Sequence, residues 1–281
     1  MWNNNLGQLV VSGMTLDIGV MLPASVPGPD HPGLGDIRDS ARFAEDVGLD
    51  SIWSTDHLIA SAPILESNVV LATAAAVTER ITIGFGVLLL ALRPVAWTAK
   101  QISTLQHVSG NRVVLGVGTG NPAHGDAGWR ETGVSFADRG RLTDEALRVL
   151  PGLVTGAAST LPDGQAVQLA PGAPMPPVLV AANNRRALRR AAEFGDGWIS
   201  IGMSAAAVRA ELAVLRDLAA EHGRPAPDAA VVGPEVSAEP ARAAADLAAY
   251  AEAGVKRVIL APTGAGWQRD YEFASAVRAA L

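Results

Sequence analysis

Residues 177–201, PVLVAANNRRALRRAAEFGDGWISI, contain the repeating unit that decides the fold. Residues 178–182 form a short apolar run that predicts a buried strand, and residues 197–201 form a second one. Between them, residues 185–193 have apolar positions at helical spacing, and Asn184 stands where a helix N-cap belongs. The segment therefore predicts a strand, a helix and the next strand, joined by short loops.

The same alternation extends over most of the chain. Further strands are predicted at 16–22, 49–53, 81–90, 112–117, 230–232 and 257–260. Further helices are predicted at 34–47, 65–77, 94–107, 141–153, 205–221, 240–253 and 267–280. Eight strands this apolar, each followed by a helix, predict a single-domain (β/α)8 TIM barrel, with a doubly wound sheet as the competing fold. Functional groups of such a barrel lie just after the carboxyl ends of its strands.

Composition excludes several classes of protein. The chain has 281 residues, a net charge of -6 and no cysteine, so disulfides and thiolate metal sites are absent. The chain has no basic block, so it is not expected to bind nucleic acid. Its longest apolar stretch, 87–92, is too short for a membrane helix. Residues 1–14 lack a signal-peptide pattern, which predicts a cytoplasmic location. We expect an N-terminal extension over 1–13 and the barrel domain over 14–281.

The placement of lysine, histidine and glycine narrows the chemistry further. Neither lysine, Lys100 or Lys256, follows a strand, which argues against a Schiff-base aldolase. The histidines form no H-x-H or i, i+4 pair, so no metal site is predicted. The glycine pattern of residues 116–120 precedes Asn121-Pro122 instead of a helix, unlike a dinucleotide-binding loop. Chemistry that depends on an organic cofactor or on phosphate binding remains.

Two strand ends carry candidate groups. Asp56 and His57 follow the second strand, where an imidazole can bind a heterocycle or move a proton near neutral pH. The alternative is a loop histidine beside an aspartate that caps the next helix. Gly84 and Gly86, in the third strand, indicate either a bulge beside a ligand or tight packing in a narrow barrel.

A phosphate site is predicted where the fifth helix begins. Arg185 and Arg186 occupy its first turn, where they oppose the positive end of the helix dipole. A bound anion would reverse that effect, because free amides and arginines would then converge on it. The alternative is that both side chains extend into solvent. Gly264 and Gly266, after the eighth strand, form either a second phosphate loop or an ordinary turn.

Taken in order, these segments resemble the bacterial luciferase-like superfamily of flavin- and F420-dependent barrel oxidoreductases. The resemblance covers nearly the whole chain, from Asp17 to Arg257. It is carried by WSTDHL at 53–58, TERITIG at 78–84, RVVLGVGTG at 112–120 and ALRRAAEFGDGW at 187–198. Each segment is weak alone, and their order and spacing carry the assignment.

The resemblance implies a set of roles. His57 would be the catalytic histidine near the reactive edge of the cofactor ring, with Asp56 beside it as a second catalytic and cofactor-binding group. Gly86 and Val87 would be joined by a non-proline cis peptide that supports the ring from behind. The remaining residues implied to bind the cofactor, by lining the ring or by presenting amides to its phosphate, are Thr119, Gly120, Asn121, Ala181, Ala182, Asn183 and Asn184.

The resemblance also has departures. F420-linked sugar-phosphate dehydrogenases of the family have an acidic catalytic residue where this chain has Asn121, and the lysines they use for substrate phosphate have no counterpart. That activity is therefore not expected. We expect an F420-dependent oxidoreductase acting on a small organic substrate, with an FMN-dependent monooxygenase as the alternative. A phosphate-binding isomerase or lyase and a non-catalytic flavin-binding protein remain open. The resemblance also implies a homodimer.

Overall fold

Eight parallel strands close into a barrel in the structure, a computed structural model that describes residues 16–25 and 34–281. The barrel strands are β1 (Asp17–Met21), β2 (Ser51–Ser54), β3 (Thr82–Leu88), β4 (Val113–Val117), β7 (Val178–Ala181), β8 (Gly197–Ile201), β9 (Asp228–Val232) and β10 (Val255–Leu260). Around the barrel they follow the order β1-β10-β9-β8-β7-β4-β3-β2. The predicted single-domain barrel is thus confirmed, while residues 1–13 lie outside the described residues.

Helices separate the barrel strands, as predicted. They are α1 (Ile37–Asp46), α2 (Ser67–Ala75), α3 (Val95–Ser109), α4 (Ala127–Glu131), α5 (Arg139–Thr155), α6 (Arg185–Phe194), α7 (Ala205–Glu221), α8 (Pro240–Ala253) and α9 (Trp267–Ala280). The sequence did not predict the short α4, the 3-10 turns Leu90–Leu92 and Pro122–His124, or the hairpin of β5 (Ser159–Thr160) and β6 (Ala166–Val167). None of the helices in the described part of the chain has both the length and the apolar character needed to cross a membrane.

Trp53 fills the centre of the barrel, and glycines make room for it. A Cβ atom added to Gly84 would lie 2.2 Å from the indole of Trp53, and one added to Gly19 would lie 2.9 Å from its nitrogen. The indole N–H donates to Ser51 Oγ at 2.9 Å, which satisfies its only polar atom. Gly84 is therefore explained by tight packing inside the barrel, one of its two predicted alternatives.

Candidate functional site

The carboxyl end of β3 carries a bulge held between β2 and β4. The Gly86–Val87 peptide bond is cis, as the family resemblance implies, and the pairing of β3 with β4 shifts register between Phe85 and Leu88. Two glycines of β4 and its following loop admit this backbone. A Cβ on Gly116 would lie 2.1 Å from the Phe85 carbonyl oxygen, and one on Gly118 would lie 2.4 Å from Val87 Cγ2. The glycine pattern of residues 116–118 thus matches the bulge of the neighbouring strand.

Asp56 supports the backbone that follows this bulge. Its carboxylate accepts hydrogen bonds from the Leu89 amide at 2.9 Å and from both terminal nitrogens of Arg93 at 2.7 and 2.9 Å. A longer contact of 3.4 Å comes from Ser67 Oγ. The side chain of Asp56 is only 1% exposed, and Glu66, not Asp56, caps α2. The structure therefore places Asp56 as a positioning residue, which corrects the expectation that its carboxylate touches cofactor or substrate.

Burial and charge act on the Arg93 guanidinium in opposite directions. Desolvation alone would lower the pKa of Arg93, but the hydrogen bonds and the charge of Asp56, with a smaller contribution from Glu66, outweigh it and raise that pKa. The Arg93 guanidinium therefore keeps its charge at any physiological pH. Its two hydrogen bonds to Asp56 make the pair a fixed part of the site's framework.

His57 lies half-buried next to this framework, and a second histidine packs against it. The ring centroids of His57 and His124 are 4.3 Å apart at an interplanar angle of 61°. Burial lowers the pKa of His57, the charge of His124 lowers it further, and the charge of Asp56 opposes both effects. Nδ1 of His124 lies 2.9 Å from Ser61 Oγ. His57 is thus neutral near pH 7, with one ring nitrogen able to donate and the other to accept.

Sequence reasoning missed His124. It lies in the 3-10 turn Pro122–His124, just past the carboxyl end of β4. The position after a barrel strand is the same signal that singled out His57, so it was available in the sequence. The contact between the two rings could not be predicted from the sequence, because their loops follow β2 and β4, which β3 separates in the barrel.

The loop after β4 places its three predicted residues in different environments. Thr119 is half-buried at the rim. Gly120 has a φ of 85°, and a Cβ there would lie 2.9 Å from the Trp129 ring, so glycine is required for both reasons. Asn121 is exposed, and its side-chain oxygen accepts from the Ala123 amide at 3.0 Å. Asn121 therefore caps the turn that carries His124.

Ala181 and Ala182, at the end of β7, are the first two residues that the resemblance implies for the cofactor phosphate. Ala181 is buried within the strand. The Ala182 amide donates to the Ile199 carbonyl at 3.3 Å, and its own carbonyl accepts from Trp198 Nε1 at 2.9 Å. Since its backbone groups already have partners in the barrel, Ala182 can only line a ligand by van der Waals contact. This pairing argues against a phosphate contact of the Ala182 amide, and the cofactor contacts of the two alanines stay predictions.

Asn183 and Asn184 use their side chains to shape the start of α6. Asn183 bridges to β8, because its side-chain oxygen accepts from the Ile201 amide at 2.9 Å and its NH2 group donates to the Ile201 carbonyl. Asn184 is the N-cap, accepting from the Ala187 amide at 3.0 Å. The amides of Arg185 and Arg186, in the first turn, have no intrahelical acceptor, and both side chains are exposed. These groups form a cluster of donors at the positive end of a helix.

A cavity of about 1000 Å³ opens at the ends of β1, β9 and β10. The loop of Gly264 and Gly266 lies on its rim, and both glycines have positive φ, 87° and 99°. Asp270 faces this loop and accepts hydrogen bonds from the amide and the hydroxyl of Thr263. A carboxylate thus occupies donors that a phosphate loop would need, which disfavours a phosphate site here.

All these groups lie at the carboxyl end of the barrel. The β3 bulge, His57 and His124 come from β2, β3 and β4, the donors of α6 follow β7, and the cavity lies toward β9, β10 and β1. Within residues 16–25 and 34–281, no group of three or more His, Asp or Glu side chains is arranged to hold a metal ion. The candidate groups therefore share the end of the barrel at which TIM barrels bind their ligands.

A family model and several known proteins are similar in sequence to this chain. A family model described as luciferase-like monooxygenase matches residues 16–278. An uncharacterised protein of Mycobacterium tuberculosis is 37% identical over 170 residues, which cover 59% of this chain and 58% of that protein. A 5,10-methylenetetrahydromethanopterin reductase of Methanolobus tindarius is 32% identical over 180 residues, 60% of this chain and 50% of the reductase. The matched segments thus span 58% and 50% of the length of these two curated relatives.

Two solved structures have the same fold over nearly their whole length. An F420-dependent secondary alcohol dehydrogenase in complex with an F420-acetone adduct gives a TM-score of 0.76 at 17% identity, covering 94% of this chain and 99% of that one. The oxygenating constituent of a type II Baeyer-Villiger monooxygenase from Pseudomonas putida, in complex with FMN, gives 0.77 at 18% identity, covering 94% and 97%. At these identities the likeness shows the barrel fold alone.

Proposed function

The chain belongs to the luciferase-like monooxygenase family, and on that premise we propose that it is an F420-dependent oxidoreductase, transferring hydride between F420 and a small organic substrate. The observation that carries this proposal is the position of His57, a histidine with a lowered pKa in the loop after β2, the strand that pairs with β3 up to the residue where the bulge begins. A neutral imidazole at a strand end is suited to binding and proton transfer at the edge of a flat heterocycle.

The residues at the mouth fit a cofactor of this shape. The amides and guanidinium groups of Arg185 and Arg186 offer donors for a phosphate at the start of α6. Asn183 ties this turn to β8 and keeps the donors in place. Thr119 and Ala182 lie at the rim where the flat part of the ligand would pass. Both F420 and FMN carry a phosphate, so this fit supports the cofactor class and not one member of it.

The cofactor and the residues around it would have different roles in the proposed reaction. F420, when bound, supplies the carbon that donates or accepts hydride. His57 donates one hydrogen bond and accepts another, so it can orient a substrate oxygen and pass it a proton. His124 packs edge-on against His57 and restricts the rotation of its ring. Asp56 and Arg93 hold the backbone after the β3 bulge and take no part in proton transfer.

An FMN-dependent monooxygenase is the second candidate. The matching family is described as monooxygenases, and one structural neighbour is in complex with FMN, while another is in complex with an F420 adduct. The preference for F420 rests on the Asp56-His57 pair, the Thr119-Gly120 segment and the loop of residues 181–184, which resemble the F420-using branch. A phosphate-binding isomerase or lyase has less support, because Asp270 faces the glycine loop that it would need.

Binding of the two cofactors to the purified protein tests the proposal. F420 and FMN are titrated separately while their fluorescence is followed, and F420 is expected to bind at submicromolar concentration. Reduced F420 is then offered with a panel of aldehydes, ketones and enones, and its reoxidation is followed without oxygen. Submicromolar binding of FMN alone overturns the F420 preference. Binding of either cofactor without turnover, and indifference to His57→Ala, favours a non-catalytic flavin-binding protein.

The oligomeric state is proposed from the resemblance as well. We expect a homodimer, which light scattering after gel filtration measures directly. A mass near 28.9 kDa, that of one chain, contradicts this expectation.

A further inference from the structure

The cavity at the ends of β1, β9 and β10 has a wall that is mostly apolar. Its volume is about 1000 Å³, which is large enough for an organic molecule of drug size. The larger apolar side chains that line it are Leu22, Val236, Leu260, Trp267, Tyr271 and Phe273. The phenol of Tyr271 donates to the Met21 carbonyl at 2.9 Å, so its polar atom is already paired with the barrel. The wall therefore favours apolar surface on a ligand.

The charges around this cavity have one sign. Glu235 and Asp270 line it, and no Lys, Arg or His occurs among the described residues of its wall. The two lysines of the chain lie elsewhere: Lys100 is in α3, and Lys256 is near the amino end of β10. Among the described residues these two carboxylates give the wall a negative potential, and the half-buried Asp270 acts more strongly than the exposed Glu235 because it is less screened by water.

Asp270 is fixed in that position by its own hydrogen bonds. It accepts from the Thr263 amide at 3.2 Å and from the Thr263 hydroxyl. These bonds occupy donors of the loop that carries Gly264 and Gly266. An anionic ligand group entering here would meet a carboxylate where it needs a donor.

Met21 connects this cavity to the β3 bulge. It lines the cavity, and its Cε atom lies 3.8 Å from the position of a Cβ on Gly86. A ligand in the cavity would therefore be separated by little more than one side chain from the backbone that the proposed cofactor ring lies against.

We propose that this cavity is the substrate site, and that it selects uncharged, largely apolar organic molecules and rejects phosphorylated or carboxylated ones. That the ligand is the substrate of the enzyme rests on the proposed function. The ligand class itself rests on the wall and its two carboxylates, so a binding experiment without cofactor can test it.

Nile red, an uncharged fluorescent dye, is the probe for the apolar wall. Its binding to the purified protein at pH 7.5 is followed by emission. The variant Val236→Trp places a large side chain in the cavity and is expected to weaken dye binding at least tenfold. Val108→Trp is the matched control, since Val108 is exposed on α3, and it should bind the dye as the wild type does. Equal dye binding by Val236→Trp and the wild type overturns the site.

Charge selection is tested with two ligands of nearly the same shape, 2-naphthalenemethanol and 2-naphthoate. The alcohol is expected to displace the dye at least tenfold more effectively than the carboxylate. Glu235→Lys should reduce this preference several-fold, while Glu252→Lys, a charge reversal in α8 away from the cavity wall, should leave it unchanged. Equal displacement by alcohol and carboxylate in the wild type overturns the ligand class.

The cofactor titrations separate this inference from the proposed function. Val236→Trp and Glu235→Lys lie outside the residues assigned to the cofactor, so both should bind F420 as the wild type does. If neither F420 nor FMN binds while the dye results hold, the proposed function fails and the ligand class of the cavity stands. If the cofactor binds and the carboxylate displaces the dye as well as the alcohol does, the inference fails and the proposed function stands.

Discussion

The carboxylate of Asp56 accepts from both terminal nitrogens of the Arg93 guanidinium, at 2.7 and 2.9 Å. The same carboxylate accepts from the Leu89 amide, so one buried group joins the loop after β2 to the segment between β3 and α3. The pair is bidentate and largely shielded, with Asp56 1% and Arg93 20% exposed at the side chain. Removing the arginine of such a pair destabilises a protein mainly because it leaves a buried carboxylate without its cation.

Arg93→Met should therefore destabilise the protein. The methionine keeps much of the packing of the arginine stem, but it leaves the buried Asp56 carboxylate with only the Leu89 amide and a long contact to Ser67. We expect the free energy of unfolding to fall by about 3 kcal/mol, measured by urea denaturation at pH 7.5. Arg42→Met is the control, because its contact with Asp39 is 3.8 Å long and exposed, and it should cost less than about 1 kcal/mol. Equal losses in the two variants would contradict this reading of the pair.

The barrel could be predicted because its signal is local and repeated. The apolar run of residues 178–182 and the helix pattern that follows lie within one short window, and the structure has β7 and α6 there. The same holds for the other seven strands. The short α4 and the hairpin of β5 and β6 were missed, because elements of two to five residues contain too few positions for a period to be recognised.

The candidate site could be predicted only in outline, because its contacts join distant parts of the chain. Asp56 stands next to His57 in the sequence, yet its carboxylate binds Arg93, 37 residues further on. The two histidines that touch are 67 positions apart, as 124 minus 57 gives. Gly264 and Gly266 fit a phosphate loop in the sequence, and only the structure places Asp270 against that loop.

Gly116→Ala is expected to destabilise the protein through a direct clash. The added Cβ would lie 2.1 Å from the Phe85 carbonyl oxygen, which is backbone and cannot turn away as a side chain can. We expect a loss of at least about 3 kcal/mol, or failure to fold, by thermal and urea denaturation. Gly164→Ala is the control, with a φ of 87° and nothing within 4 Å, so it should cost only the strain of that backbone, about 1 kcal/mol. A harmless Gly116→Ala would mean that β4 can move away from β3.

His57 predicts a pH dependence of stability with a definite sign. Burial, and then the charge of His124, lower the pKa of His57 in the folded protein below its ordinary value. Between the two values the unfolded chain binds more protons, so the folded state loses stability as the pH falls through that window. Compared with His57→Gln, the wild type should therefore lose more free energy of unfolding between pH 7 and pH 5. Urea denaturation at several pH values measures this, and parallel profiles for the two proteins would contradict it.

His124→Asn should raise the pKa of His57. It removes a positive charge that opposes protonation of the neighbouring ring and leaves the charge of Asp56, which favours it. The pKa is measured from the pH dependence of the His57 ring C–H signal in NMR spectra. Ser61→Ala is the control, because it removes the partner of His124 Nδ1 and keeps the His124 ring, so a smaller shift is expected. An unchanged or lowered pKa in His124→Asn would show that the two rings do not interact as their contact suggests.

The double variant Arg185→Gln, Arg186→Gln tests the phosphate end of the proposed cofactor site. Both guanidinium groups are exposed in the first turn of α6, where they add to the positive end of the helix. Their loss should weaken binding of F420 or FMN about tenfold, which corresponds to about 1.4 kcal/mol. Riboflavin, which lacks the phosphate of FMN, should bind equally to the variant and the wild type, because the ring site is unchanged. Arg189→Gln, one turn later on the same helix and also exposed, is the matched control and should bind FMN as the wild type does. If FMN and riboflavin lose affinity equally, the arginines act on the ring site or on the fold, and the phosphate does not lie at the start of α6.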